Sequence, residues 1–167
     1  MADITGNPAT GCRVEKIVSG GQTGVDRAAL DAALAWGVPC AGWCPAGRLA
    51  EDGPIDERYP LRETPGADYS ERTERNVLDS DGTLILNVGT LDGGTAYTAK
   101  MAKRHGKPYL IVRIDEDADV REAVSWLARH HIVVMNIAGP RESKSAGTQE
   151  RARGYLDRLI PLIITAR

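Results

Sequence analysis

Three stretches of this 167-residue chain combine glycines, hydroxyls and amides at spacings suited to holding an anion. The first, Ser19, Gly20, Gly21, Gln22, Thr23, Gly24, Val25, Asp26 and Arg27, places three glycines and two hydroxyls at the start of an Ala/Leu-rich segment. Glycine admits close backbone approach to a ligand, and the free N–H groups and dipole of a helix start attract negative charge. The spacing is neither a Walker A loop, since no Gly-Lys-Ser/Thr follows, nor G-x-G-x-x-G. The alternative is a tight turn in which Thr23 or Ser19 caps the helix. The second stretch, Asn87 to Thr98, repeats the pattern, with Gly93, Gly94 and Thr95 opening a helix and Thr98 one turn on; the alternative is a hairpin-like connection. The third, Asn136 to Ser145, follows an apolar run with Gly139, Pro140, Arg141, Glu142, Ser143 and Lys144. Arg141 is suited to a bidentate contact with phosphate or an oxoanion and Lys144 to a point-charge contact, against the alternative of solvated loop charges.

A further group lies on a helix, where Arg72, Asn76 and Asp79 share one face by their i, i+4 and i+7 spacing. Either that face is solvated, or it lines the ligand crevice. In the second case Arg72 supplies another anion contact and Asn76 a contact to a base or pterin ring. Cys40 and Cys44 have no second pair, and His105, His130 and His131 lack zinc spacing, so no metal site is expected. His130 and His131 suit the negative end of a helix dipole. No G-x-S-x-G or H-E-x-x-H motif occurs, and no residue is assigned a catalytic role.

The elements that must position these turns follow from periodicity. A strand is read at 14–18, a helix at 25–36 stopped by Gly37 and Pro39, and a short strand at 38–41. Pro39, Pro45, Pro54, Pro60 and Pro65 make 38–67 a long, largely irregular loop, with Trp43 and Tyr59 to order it beside the crevice. A helix at 69–79, a strand at 83–88, a helix at 94–105 and a strand at 109–114 come next. Val120, Ala123, Val124 and Leu127, and later Ala152, Tyr155, Leu156 and Leu159, mark helices on either side of the buried strand 132–137. This alternation predicts an α/β fold, a Rossmann-like three-layer sandwich with a mainly parallel central sheet of about five or six strands. Residues 1–13 are expected to be a mobile arm and 14–167 one ligand-binding domain. Ligands of such sheets bind beyond the carboxyl ends of the strands, where all three turns fall.

Composition is that of a globular domain, 42% hydrophobic and 26% charged. With 21 basic and 23 acidic residues, a net charge of -2 leaves no positive field to track a nucleic acid, but a small phosphorylated or oxoanionic ligand needs only local donors. No run approaches the ~20 apolar residues of a membrane span, and no membrane partner is expected. Three cysteines, Cys12, Cys40 and Cys44, without framework spacing suit a reducing compartment, so the expected location is the cytoplasm.

At several of these positions the sequence resembles the molybdenum (molybdenum-cofactor) carrier family, a circularly permuted branch of a Rossmann-like nucleotide-binding group that includes lysine-decarboxylase-like phosphoribohydrolases. The resemblance rests on five stretches in order, 19–31, 42–53, 79–85, 93–95 and 136–144. It implies a homo-oligomer that holds the phosphate-bearing pterin cofactor of molybdenum and passes it to molybdoenzymes. The ligand would be bound by Ser19, Gly20, Gly21, Gln22, Thr23, Gly24, Asp26, Arg72, Asn76, Asn87, Gly93, Gly94, Thr95, Thr98, Asn136, Gly139, Pro140, Arg141 and Lys144, with Trp43 or Tyr97 over the ring. The related hydrolases imply a nucleotide-processing alternative with Asp26 or Glu142 as acid/base. There a glutamate follows the glycine-threonine turn, whereas here Gly93, Gly94 and Thr95 run into Ala96, Tyr97 and Thr98. A nucleotide sensor is the third reading.

Overall fold

The computed structural model describes residues 12–164. In chain order the elements are β1 (Lys16–Val18), α1 (Val25–Trp36), β2 (Cys40–Ala41), β3 (Trp43–Cys44), β4 (Leu49–Ala50), β5 (Gly53–Pro54), β6 (Arg62–Glu63), α2 (Tyr69–Leu78), β7 (Gly82–Asn87), α3 (Gly93–Arg104), β8 (Tyr109–Arg113), α4 (Arg121–Arg129), β9 (Val134–Ala138) and α5 (Thr148–Ile163). Five strands form the central sheet in the order β2-β1-β9-β7-β8, and every pairing is parallel. This is the Rossmann-like three-layer α/β sandwich that the alternation predicts. All six residues of β7 are buried, as a strand covered on both faces requires.

Leu84 and Leu86 of β7 join the main core, which also takes in Ala28, Ala29 and Ala32 of α1, Leu127 of α4, and Tyr155, Leu156 and Leu159 of α5. Alanine on α1 lets that helix lie close to α5. Helices α2 and α3 pack on each other through Val77, Met101 and Ala102.

The last strand in sequence, β9, sits in the middle of the sheet between β1 and β7. Started at β9, continued through α5 into β1 and onward, the strand order becomes 3-2-1-4-5, that of a Rossmann sheet. The start and end of the described chain meet, with the Val14 N–H donating to the Ile163 carbonyl at 2.8 Å. The topology is therefore a circular permutation, in which the turn after β9 occupies the place of the first strand-to-helix turn.

Segment 38–67 is more regular than its prolines suggest. It forms two small sheets, β3 with β6 in parallel and β4 with β5 antiparallel. Arg48 is the hub, donating to the carbonyls of Ile55, Asp56, Tyr59 and Leu61 at 2.9–3.2 Å and so satisfying backbone that no ladder could reach. Most of the expected 1–13 arm lies outside the described residues; Cys12, its penultimate position, packs against the main core.

Candidate functional site

Strands β1, β9 and β7 are adjacent and parallel, so their carboxyl ends share one edge and the three glycine turns border one cleft of about 350 Å³. The first turn contributes Gly20, Gln22 and Asp26 to its lining, and the second contributes Gly93, Gly94, Thr95 and Thr98. From β9 and the third turn come Asn136, Gly139, Pro140, Arg141 and Lys144, and from α2 Arg72 and Asn76.

The remaining expected residues build the turns. Ser19 is fully buried and donates its hydroxyl to the Ile137 carbonyl at 2.7 Å, tying β1 to β9. Gly21, with φ 79°, packs on Leu61 and Ile55. Gly24 is the N-cap of α1, and a Cβ there would collide with the Pro140 carbonyl. Thr23 gives its hydroxyl to the Glu51 carboxylate and accepts from the Glu142 N–H at 3.1 Å. Neither Thr23 nor Ser19 caps α1; Gln149 instead accepts from the Gly24 N–H at 3.2 Å. Asn87 donates to the Gly89 carbonyl at 3.1 Å and holds the second turn.

In the cleft wall, Arg72 donates Nη1 to the Gly20 carbonyl at 2.8 Å and stands 3.9 Å from the Asp26 carboxylate. Both side chains are only 10% exposed. Burial pushes the Asp26 carboxyl up to about 6, against the pull of Arg72, the Gln22 N–H and Arg27. The helical face bearing Arg72 and Asn76 is thus turned inward. Asn76, however, spends both ends of its amide on the Trp43 backbone, accepting from its N–H at 2.8 Å and donating to its carbonyl at 3.0 Å, which pins β3 to α2.

Helix α3 has no side-chain cap, because the Asp92 carboxylate is taken by Lys144. Gly93, Gly94 and Thr95, whose N–H groups have no partner within the helix, line the same cleft as Arg141 and Lys144. Gly93 needs its positive φ of 52°, and a Cβ on Gly94 would meet nothing within 4 Å among the described residues. The third turn is organised by Glu51, whose carboxylate accepts from the Ser143 N–H at 3.1 Å and the Ser143 hydroxyl at 2.5 Å and stands 3.5 Å from Arg141 Nε.

Two expected contributors lie elsewhere. Glu142 accepts from the N–H groups of Gly147 at 2.6 Å and Gln149 at 2.8 Å, so its carboxylate caps α5 and is not an acid/base facing the cleft. Trp43 donates to Asp79 at 2.7 Å under the guanidinium of Arg75 and leaves any ring-covering role to Tyr97 and Tyr69, which do line the cleft. Tyr69, Ser70, Thr73 and Glu51 carry no signal by type or spacing, since they reach the site only through the packing of α2 and the fold of the 38–67 segment. Among the described residues no cluster of His, Cys, Asp and Glu could hold a metal, and burial raises the thiols of Cys12, Cys40 and Cys44. No described helix is long and apolar enough to cross a membrane.

No curated protein matches the chain. Among solved structures, a "putative molybdenum carrier protein" from Syntrophus aciditrophicus SB is 47% identical, with a TM-score of 0.85 over 89% of this chain and 96% of that one. Residues 17–160 match the model of the circularly permutated YpsA SLOG family, which agrees with the central placement of β9. The chain belongs to the circularly permutated YpsA SLOG family.

Proposed function

We propose that this chain binds and carries a small phosphorylated ligand, the molybdenum cofactor or a similar oxoanion-bearing heterocycle, in the cleft bordered by its three glycine turns. The observation that carries the reading is the uncapped start of α3, whose N–H groups share a cleft with Arg141, Lys144 and the buried guanidinium of Arg72. Such a helix start beside cations holds a phosphate through preformed dipoles, and it needs no large positive field. Tyr69 and Tyr97 offer ring faces to the heterocycle. The likeness to a structure described as a molybdenum carrier protein supports carriage of molybdenum as the role; our reading adds molybdoenzymes as recipients and a homo-oligomer in the cytoplasm as the setting.

The test is native mass spectrometry of the protein purified from its own cell, intact and after denaturation. Release of a phosphorylated pterin, with or without molybdenum, supports the carrier; consistent recovery of empty protein from molybdenum-replete cells counts against it. A second reading rests on Asp26, the one carboxylate on the lining among the described residues, as acid/base of a nucleotide-processing enzyme. Base or phosphate release from nucleotides, lost in Asp26→Asn, would favour it. The lack of a glutamate after the glycine-threonine turn, where Ala96, Tyr97 and Thr98 follow, weighs against it.

A further inference from the structure

The lining of the cleft is not uniformly made for anions. Asp26 sits in the first-turn wall with one carboxylate oxygen, Oδ2, engaged by the Gln22 N–H at 3.4 Å and near Arg72; its Oδ1 makes no hydrogen bond among the described residues. Among the described residues Arg72 uses only Nη1, on Gly20, and leaves Nε and Nη2 without a partner. Gln22 has its amide orientation fixed, because Oε1 accepts from the Thr23 N–H at 3.0 Å and the Glu51 N–H at 2.9 Å. Its Nε2 is therefore a donor, and it too has no partner among the described residues. All three residues line the cleft, and each is more than nine-tenths buried as a whole residue. These atoms open to the cleft and are not sealed in the core, so the donors and acceptors that the protein leaves unused there are available to what the cleft takes up.

This wall would repel a second oxoanion, since Asp26 presents a carboxylate beside a single guanidinium. It suits a neutral ring edge that offers N–H donors to Asp26 and a carbonyl to Gln22 and Arg72. Strand β1, which carries this wall, is separated from β7, which carries the α3 helix start, by β9 alone; two strand spacings place the two ends about 10 Å apart. That matches the reach from a phosphate ester to the far edge of its heterocycle.

Resting on the carrier reading above, we propose that Asp26, Gln22 and Arg72 read a 2-amino-4-oxo ring edge, the edge shared by pterins and guanine, while the α3 start takes the phosphate of the same molecule. The amino group and the adjacent ring N–H both donate to the carboxylate, and the oxo group accepts from the amide and guanidinium.

The test is calorimetric titration of the full-length protein with guanosine monophosphate, inosine monophosphate, which lacks only the 2-amino group, adenosine monophosphate, a phosphate ester of 6-hydroxymethylpterin, and inorganic phosphate. The guanine nucleotide or the pterin ester should bind at least about tenfold more tightly than the inosine and adenine nucleotides, the loss expected when a charge-assisted hydrogen bond goes unmade. Which of the two binds tighter identifies the source of the edge. In Asp26→Asn, checked for cooperative unfolding, the preference should collapse while inorganic phosphate still binds, at least as tightly as to the parent. Equal binding of the guanosine and inosine nucleotides with no preference for the pterin ester overturns the edge reader and leaves the phosphate site standing; failure of every phosphate-bearing probe to bind overturns both.

Discussion

Asp26 and Arg72 face each other at 3.9 Å in the wall of the cleft, each side chain 10% exposed. The distance is long for an ion pair, and the guanidinium spends its nearest hydrogen on the Gly20 carbonyl instead. The carboxylate is consequently under-compensated, and burial outweighs the attraction of Arg72.

The linkage fixes a sign. In the folded state the Asp26 carboxyl titrates at about 6, above its ordinary 3.8, so folding favours the protonated acid. Its contribution is full below pH 4 and is lost as the pH rises through 6, an upper bound on the order of 3 kcal/mol. Asp26→Asn, which cannot ionise, should therefore be more stable than the parent at pH 8 and nearly equal to it at pH 4. Urea unfolding at both pH values checks this. A variant less stable at pH 8 would mean that Arg72, and not burial, governs the carboxyl.

Glu51 should show the opposite dependence. Burial alone would raise its carboxyl, but hydrogen bonds from Ser143 and Thr23, with Arg141 nearby, hold it below the usual carboxylate range. Its stabilising contribution is thus present at neutral pH and lost as the pH falls through that lowered value. Glu51→Ala frees Ser143, Thr23 and Arg141 together, and a loss of about 1–2 kcal/mol is expected, reduced from the charged hydrogen-bond range by partial exposure. Phosphate affinity should fall with it, because the third turn loses its anchor on the 38–67 segment. Chemical unfolding and phosphate titration of one variant read both effects.

The sheet was legible because its strands are apolar runs separated by helices of clear period, and the three turns were legible because glycines and hydroxyls follow strand ends. The direction of the Arg72 face does not follow from its spacing; it is set by the packing of α2 on the first turn. Glu142 illustrates the limit: a carboxylate in a ligand-like turn reads as chemistry, yet the N–H groups at the start of α5, on Gly147 and Gln149, take both its oxygens. Glu51 and Arg48 carry no periodic signal: Glu51 acts on Ser143, far along the chain, and Arg48 on carbonyls of its own irregular segment.

Tyr155 offers a test of the core away from the cleft. It is 1% exposed on α5, and its hydroxyl is the one deeply buried side-chain polar atom without a partner among the described residues. Burial, with the nearby Glu122, drives its phenol well above the ordinary range, so it stays protonated at any working pH. Tyr155→Phe removes an unmet donor with little change of shape. The variant should be equal to the parent or more stable by up to about 1–2 kcal/mol, with ligand affinity unchanged. A clear destabilisation would reveal a buried water on the hydroxyl.

The last prediction separates folding from binding with two glycines. Gly24 has φ 80°, and its missing side chain leaves room for the Pro140 carbonyl and the Glu142 N–H, so Gly24→Ala meets both left-handed strain and backbone collision. It should destabilise the protein by about 1–3 kcal/mol or more, since strain of this kind is relieved only by moving the first turn away from the third. Gly94 does not have a positive φ and a Cβ there meets no atom of the described residues within 4 Å, although it lines the cleft. Gly94→Ala should leave stability unchanged or raise it slightly, as alanine suits a helix better than glycine. The same methyl projects into the space where a phosphate would approach the N–H groups of α3, and should weaken phosphate binding at least about tenfold if it lengthens a charge-assisted contact. Thermal unfolding and phosphate titration on the pair give the answer: normal stability with lost affinity in Gly94→Ala places the anion on the α3 start, while unchanged affinity moves it to another part of the cleft.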